Sequence, residues 1–312
     1  MTKRGLYLLA LDCNLGTLKK DNVAKLNSNA KRQAQGFGTW LALHKSKPDL
    51  VICEADTLVK AYTEKLVKAM GATAELVEST AMLPVDGSAD LLRLYLLRKI
   101  DQLLVVANEK PIRLLGNELL IDNGHLQQNS LLCLKVANPS PAAATEKMEV
   151  DIDNIVVANE LPNQFPFPDI NGSELRPRPA YYYRQSAVIP FRSSEQGIEL
   201  LLISSSNRRH WLIPKGIHEP GMSAQASALK EAVEEGGISG QALDYLGKYE
   251  YQKWGGRCVV KVYPMQVTAM LPDDAWLENH RQRRWCSPDL AKQLIKHQAL
   301  VPMIDKLQQR YS

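Results

Sequence analysis

The sequence predicts an α/β protein of two domains, the first a three-layer α/β domain with a mostly parallel sheet. Three observations carry this. Short apolar runs alternate with helical patterns through the first half, the alternation that builds a parallel sheet covered on both faces. A Pro-rich stretch follows, with Pro162, Pro166, Pro168, Pro177 and Pro179. Strand signals then return on both sides of one strongly helical segment. A chain of 312 residues has the size of two ordinary domains. We place them at 1–160 and 181–312, joined by a stiff Pro-rich linker over 161–180.

In chain order, 6–11 reads as a buried strand and 22–43 as a helix that carries Gly36 and Gly38. Residues 49–53 form a second strand signal. Leu58, Ala61, Tyr62, Leu66 and Ala69 recur at helical spacing and predict one buried face. A strand over 102–107, a helix over 111–120 and strands over 131–136 and 154–157 complete the first half. The stretch 138–148, rich in Pro, Ala, Ser and Thr, reads as a surface excursion. In the second half, 187–191 and 199–204 read as strands joined by a turn near Gly197, and 243–251 and 258–268 as two more. Ser287-Pro288 is a helix start, with Ser as cap and Pro at the first position.

Bulk properties exclude several classes. Hydrophobic content of 45% and charged content of 23% are those of an ordinary globular chain. A net charge of +4 comes with only local basic clusters, Arg208-Arg209-His210 and Arg281 to Arg284, which read as solvated faces. No nucleic-acid partner is expected. The five cysteines are scattered, without a CxxC, so neither zinc nor a disulfide framework is expected and a reducing cytoplasm fits. The apolar run after Lys3-Arg4 is too short for a signal peptide. The segment 91–107 is broken by Arg93, Arg98, Lys99 and Asp101, so no membrane span is expected.

The chemistry concentrates in 211–238. Ser223 can cap a helix of strong helix formers from Ala224 to Glu235, and Gly236-Gly237 can end it. Glu231, Glu234 and Glu235 then fall at i, i+3 and i+4, on one face. Three carboxylates together repel unless a cation sits among them. Their oxygens are the hard ligands that Mg²⁺ or Mn²⁺ prefers. On spacing alone, a solvated acidic face is the favoured reading.

This stretch resembles the Nudix box: Gly216, then Lys230-Glu231-Ala232-Val233-Glu234-Glu235-Gly236-Gly237-Ile238 at the family's spacing. The resemblance covers roughly 183–310. It implies an α/β/α sandwich with a mixed sheet. It also implies metal-dependent hydrolysis of a phosphoanhydride, with Glu231, Glu234, Glu235 and the carbonyl of Gly216 as metal ligands. Either Glu235 or a carboxylate from a later loop takes the proton from the attacking water, with Glu235 preferred. Lys215, Arg208, Arg209 and Arg257 are candidate phosphate contacts. Tyr249, Tyr251, Trp254 and Tyr263 are candidate stacking partners, with strand packing as their alternative role. Two positions depart from the box. Its first glutamate is Met222 and its arginine is Lys230. Those two side chains commonly pair in the family, and Met222 is expected to fill the space by packing instead.

The lead Trp211-Leu-Ile-Pro-Lys-Gly and Arg283-Arg284-Trp285 are similar to the diadenosine polyphosphate and diphosphoinositol polyphosphate group of Nudix enzymes. This implies a small, highly charged phosphorylated substrate. The alternative is a non-catalytic sensor that binds a nucleotide-like effector. A homodimer is left open.

The first half resembles the histidine phosphatases of the small SixA type in its order of elements. It has Lys31-Arg32-Gln33-Ala34 and Gly38 after the first strand, then Lys60-Ala61-Tyr62-Thr63, then the strand before Pro111. That family needs a nucleophilic histidine after the first strand and a second one after the later strand. Here those positions read Ala10-Leu11-Asp12 and Ala107-Asn108-Glu109-Lys110. His44 and His125 lie away from strand ends. Without an imidazole there is no phosphohistidine route, and the domain is expected to be catalytically inactive.

Overall fold

A computed structural model describes residues 4–12, 14–18, 24–71, 75–79, 100–119, 121–136, 150–195 and 197–311. The predicted excursion at 138–148 lies outside these. The chain divides into two compact units, Met1–Leu175 and Arg176–Ser312.

The first unit runs β1 (Arg4–Leu11), β2 (Gly16–Leu18), β3 (Ala24–Leu26), α1 (Ser28–Leu43), β4 (Leu50–Glu54), α2 (Thr57–Met70), β5 (Glu75–Ser79), β6 (Gln102–Asn108), α3 (Glu109–Glu118), β7 (Ser130–Val136) and β8 (Val150–Val157). Its six-stranded sheet has the order β5-β4-β6-β1-β7-β8. The first four are parallel, and β7 and β8 add antiparallel at one edge. Alternate residues face opposite ways along a strand. Leu9, Leu11, Val51, Cys53, Leu104 and Val106 therefore pack under α1 and α2. Leu6, Leu8, Leu50, Ile52, Leu103 and Val105 pack on the α3 side with Ile112 and Leu115. This is the expected three-layer arrangement. Gly38 has a packing reason, because a Cβ there would run into the Leu66 carbonyl of α2.

Three local expectations shift. The first helix begins at Ser28 instead of residue 22, because the Asn27 side chain accepts from the Ala30 N–H at 2.8 Å and caps it there. Residues 24–26 instead pair with β2. The buried stripe of α2 is Val59, Tyr62, Thr63, Leu66 and Met70. Leu58 and Ala61 lie on its flank, so the predicted face is rotated by about one residue. The stretch 161–180 contains two short paired strands, β9 (Phe165–Phe167) and β10 (Glu174–Arg176). Phe165 is fully buried, with the Arg32 guanidinium 4.7 Å over its ring.

The second unit runs β11 (Arg184–Ser194), β12 (Gly197–Ser204), β13 (Trp211–Leu212), β14 (Lys215–Ile217), α4 (Ala224–Gly236), β15 (Ile238–Ala242), β16 (Gly247–Lys253), β17 (Gly256–Met270), β18 (Arg283–Cys286), α5 (Pro288–Leu294) and α6 (Val301–Tyr311). The sheet is mixed: β11 and β17 pair in parallel and the remaining pairs are antiparallel. Ala228 and Ala232 of α4 pack on one face against Val188, Leu201 and Met265. Ala291, Ile304 and Leu307 of the last two helices pack on the other. The α/β/α sandwich stands as expected. The strand predicted at 243–251 starts only at Gly247. Ahead of it, β15 had no signal to read, because Ile238-Ser-Gly-Gln-Ala is short and polar.

Cys53, Cys133, Cys258 and Cys286 are buried free thiols. Among the described residues no helix is long and apolar enough to cross a membrane.

Candidate active site

The site is built on α4 and β14. Ser223 accepts from the Ala226 N–H at 3.0 Å and starts the helix. Gly237 ends it in the left-handed region at φ 61°, returning its N–H to the Ala232 and Val233 carbonyls. Between these caps the helix presents Glu231 and Glu235 toward β14, and Glu234 lines the cavity over them. On β14 the Lys215 N–H donates to Glu235 Oε2 at 2.9 Å. Gly216 lies against the Glu231 carboxylate so closely that any Cβ would collide with it. That is why the box needs glycine at this point.

A cavity of about 410 Å³ opens over these residues. Four carboxylates line it, Glu219, Glu231, Glu234 and Glu235, and so do four cations, Lys215, Lys230, Lys253 and Arg281. Burial, then the neighbouring Glu235 and Glu234 charges, pushes the Glu231 carboxyl up to about 8. Burial also raises Glu235, against the opposing pull of Arg281. Lys215 is lowered by burial. Among the described residues its Nζ has only neutral neighbours within hydrogen-bond reach, Tyr251 Oη at 3.0 Å and Gln185 Oε1 at 3.4 Å.

Arg281, read from sequence as part of a solvated basic run, is instead buried. It donates from Nη2 to Glu235 Oε1 at 2.6 Å, from Nε to Glu278 Oε2 at 2.6 Å and from Nη1 to the Ser204 carbonyl at 2.9 Å. The Arg283 side chain is buried with it, 6% exposed and donating to the Gly236 carbonyl at 3.2 Å and the Leu271 carbonyl at 2.9 Å, whereas Arg284 is exposed; the sequence offered no signal to separate the three. The departure at Met222 is also resolved differently than expected. Met222 does not pack inward but is 40% exposed. Lys230 finds its acid three residues earlier, with Glu219 at 3.7 Å, and a closer one in Glu234 at 2.9 Å. A brace across the loop is thus present with a relocated carboxylate.

The sequence-predicted contacts separate. Lys215 lines the cavity, and Tyr251 stands behind it, donating to Gln185 Oε1 at 2.7 Å. Arg208 and Arg209 are in the exposed loop after β12 and do not line the cavity. Arg208 sits at φ 57° and donates to the His280 carbonyl at 3.0 Å. Arg257 is turned outward on the β16–β17 hairpin, where it pairs with Glu250 at 3.2 Å. Gln185, Glu219, Lys253 and Arg281 line the site without having been chosen from sequence.

A Nudix domain model matches residues 182–307. Nudix hydrolase 16, mitochondrial, of Arabidopsis thaliana is 34% identical over 128 residues, 35% of this chain and 70% of that protein. The chain belongs to the Nudix family. Nudix hydrolase 4 of the same plant is 30% identical over 125 residues, 37% of this chain and 60% of that one. Diphosphoinositol polyphosphate phosphohydrolase 3-beta of Bos taurus is 31% identical over 110 residues, 34% of this chain and 65% of its own. The chain thus spans about 60 to 70% of the length of these Nudix relatives. All three matches cover about a third of this chain, and they give the histidine-phosphatase resemblance of the first half no support.

The Nudix box donors are all oxygens, the set a hard divalent cation takes, and Glu231 is a crowded carboxylate short of positive charge. As placed, Glu235 is turned to Arg281 and Glu234 to Lys230. Among the described residues no group of three or more acidic, His or Cys side chains converges as a finished metal centre. The donor chemistry fits a cation, and binding one requires these two carboxylates to divide their charge between it and their ion pairs.

Proposed function

We propose that this domain hydrolyses a phosphoanhydride bond in a nucleoside-diphosphate-linked or polyphosphate substrate, with Mg²⁺ or Mn²⁺ held by Glu231, Glu234, Glu235 and the Gly216 carbonyl. The observation that carries this reading is Glu231: a crowded, largely buried carboxylate facing a cavity with a cationic wall. A bound cation would supply charge neutralisation on phosphate oxygens and activate a water. The residues do the rest. Lys215, buried with neutral partners, is positioned to bind a phosphate oxygen. Lys230 and Glu219 hold the loop–helix junction. Glu235 accepts at both oxygens, from the Lys215 N–H and from Arg281, so it is poorly free to turn toward a water. Glu231 has no salt bridge of its own among the described residues; a bound cation would hold it ionised against the burial that otherwise keeps it protonated, and in that state we assign it proton acceptance in place of Glu235.

We further propose that the first unit is not catalytic. The ends of β1 and β6 carry Asp12 and Asn108. His44 sits at the end of α1, its ring 3.9 Å from Trp40, and His125 in a turn after α3.

The test is release of phosphate or nucleoside monophosphate from dinucleoside polyphosphates, nucleotide sugars and inositol pyrophosphates with Mg²⁺. Turnover lost in Glu234→Gln and Glu235→Gln supports the enzyme. The ion pairing of those two glutamates favours a second reading, a sensor that binds without cleaving. Saturable binding without metal-dependent turnover across the panel would establish that one.

A further inference from the structure

We propose that the first unit carries a binding site for a compact phosphate chain, held by Lys25, Lys31, Lys65 and Lys68. The site lies wholly within that unit, and it stands whether or not the second unit is a hydrolase.

Three elements build it. Strand alternation on β3 buries Leu26 and leaves Lys25 exposed. On α1, Ala30 and Ala34 are buried and Lys31 is exposed. On α2, Lys65 and Lys68 are half-buried beside the buried Leu66. The two helices approach closely at Gly38, where a Cβ would run into the Leu66 carbonyl. A cavity of about 330 Å³ opens where the three elements meet, and all four lysines line it, with Leu26 and Ala61 as apolar members. Small-molecule sites run from about 300 to 1,000 Å³, so this one suits a small ligand.

A solvated basic face usually interleaves its lysines with acids. Here the lining holds one acid among the described residues, Glu64. It stands four residues before Lys68, the order and spacing at which a glutamate answers a lysine on a helix. It can offset one of the four charges. Lys31 is also badly placed for its own helix. Its N–H closes the first turn of α1 on the Asn27 carbonyl at 3.1 Å, and that turn contains no acid. A cation there adds to the positive end of the helix dipole. Arg32, its neighbour, is committed elsewhere, over the Phe165 ring at 4.7 Å. An anion in the cavity would relieve both the crowding of ammonium groups and the dipole. The chemistry favours phosphates. The lining has no arginine fork to clamp a planar carboxylate, and lysines act as point charges that suit oxygens spread over successive tetrahedral groups. No aromatic side chain lines the cavity among the described residues, so the bases of a nucleic-acid strand would have nothing to stack on.

The probe is inorganic tripolyphosphate, added to the full chain with a chelator at about 0.15 M salt, where attraction between exposed charges is screened beyond about 8 Å. Acetylation of lysines by an N-hydroxysuccinimide ester is read residue by residue by mass spectrometry, so binding at the box cavity cannot mimic the result. We expect Lys25, Lys31, Lys65 and Lys68 to be protected together, half-maximally at one concentration. The exposed Lys47 and Lys135 should be unaffected. Lys31→Glu places an acid in the first turn of α1, so it should melt no lower than the parent. It should raise the concentration that protects the other three lysines about tenfold or more, and Lys65→Gln about threefold. Lys47→Glu, the same change of charge away from the cavity, should stay within about twofold. Protection of all lysines alike, or of none, overturns the proposal, as does an unchanged concentration in both cavity variants. Equal protection by citrate, or protection by a short single-stranded oligonucleotide at a lower concentration than tripolyphosphate, overturns it too.

Discussion

Both units bring carboxylates to the ends of strands, and they treat them in opposite ways. In the first unit, Glu54 Oε2 at the end of β4 accepts from the Asn108 N–H at 2.8 Å and its Nδ2 at 3.0 Å. Hydrogen bonds from Gln128 and then Arg113 hold the Glu109 carboxyl below the usual range. Asp12 Oδ1 accepts from the Asn14 N–H at 3.1 Å. In the second unit, burial and neighbouring acids push Glu231 to about 8, and burial raises Glu235 as well. The first arrangement is charge satisfied within the protein. The second is charge that a positive ligand would relieve, and crowding of that kind marks functional sites.

The sharpest way to break the contrast is to neutralise one carboxylate on each side. Glu231→Gln should lower turnover by about 10²- to 10⁴-fold, the range for removing a group that moves a proton in the transition state. Glu54→Gln should leave turnover within about twofold, measured on whichever substrate of the panel is cleaved. Equal loss from both would mean that the first unit takes part in the chemistry.

The next largest effect concerns stability. Arg281→Ala would strand Glu235 and Glu278 and leave the Ser204 carbonyl without its guanidinium donor. Loss of one partner of a buried ion pair costs about 3–5 kcal/mol. Arg113, 38% exposed in its pair with Glu109, should cost no more than about 0.5 kcal/mol when changed to Ala. Urea denaturation of the two variants gives both numbers. A small loss at Arg281 would show that its ion pairs do not hold the second unit together.

How much of this was readable beforehand divides along the same line. The parallel strands of the first unit announce themselves because they are continuous apolar runs, such as Leu103-Leu-Val-Val. The α4 helix is legible from cap to cap, Ser223 to Gly237, because caps and acid spacing are local. Arg281 is not legible: it lies 46 residues from Glu235, and burial that depends on the fold cannot be read from a basic run. Glu219 as the partner of Lys230 was hidden for a related reason. The spacing pointed to residue 222, while the loop carries a different acid inward. Strand β15 was missed because its polar residues pair with the long β17 at a register shift between Ser239 and Gly240, which no alternation foretells.

An effect of similar size has a sign fixed by the crowding. The folded state holds a proton on Glu231 up to about 8, above its ordinary value of 4.5. Between those values the folded chain binds more protons than the unfolded chain, so stability falls as pH rises from 4.5 to 8 and is then level. In chelator-treated protein, Glu231→Gln should remove that fall and exceed the parent by roughly 4–5 kcal/mol at pH 8, with little difference near pH 4.5. Mg²⁺ should narrow the gap by stabilising only the parent. A parent as stable at pH 8 as the variant, without metal, would show that the carboxylates are not crowded in solution.

The smallest effect tests the relocated brace. If Glu219 does the work that the family assigns to the residue at 222, then Met222→Glu should be nearly silent. Met222 is already 40% exposed, so the change removes little buried apolar area. Lys230 already carries Glu234 at 2.9 Å and Glu219 at 3.7 Å, so a third acid brings repulsion along with attraction. The expected change in stability is within about 0.5 kcal/mol, and turnover should stay within about twofold. Glu219→Gln should cost more than Met222→Glu gains, because Glu219 is 15% exposed in that pair while Lys230 is 40% exposed, and a half-buried lysine would lose one of its two acids. A clear gain of stability or rate from Met222→Glu alone would mean that the junction is braced less well than Glu219 suggests, and that the departure at 222 is a real loss.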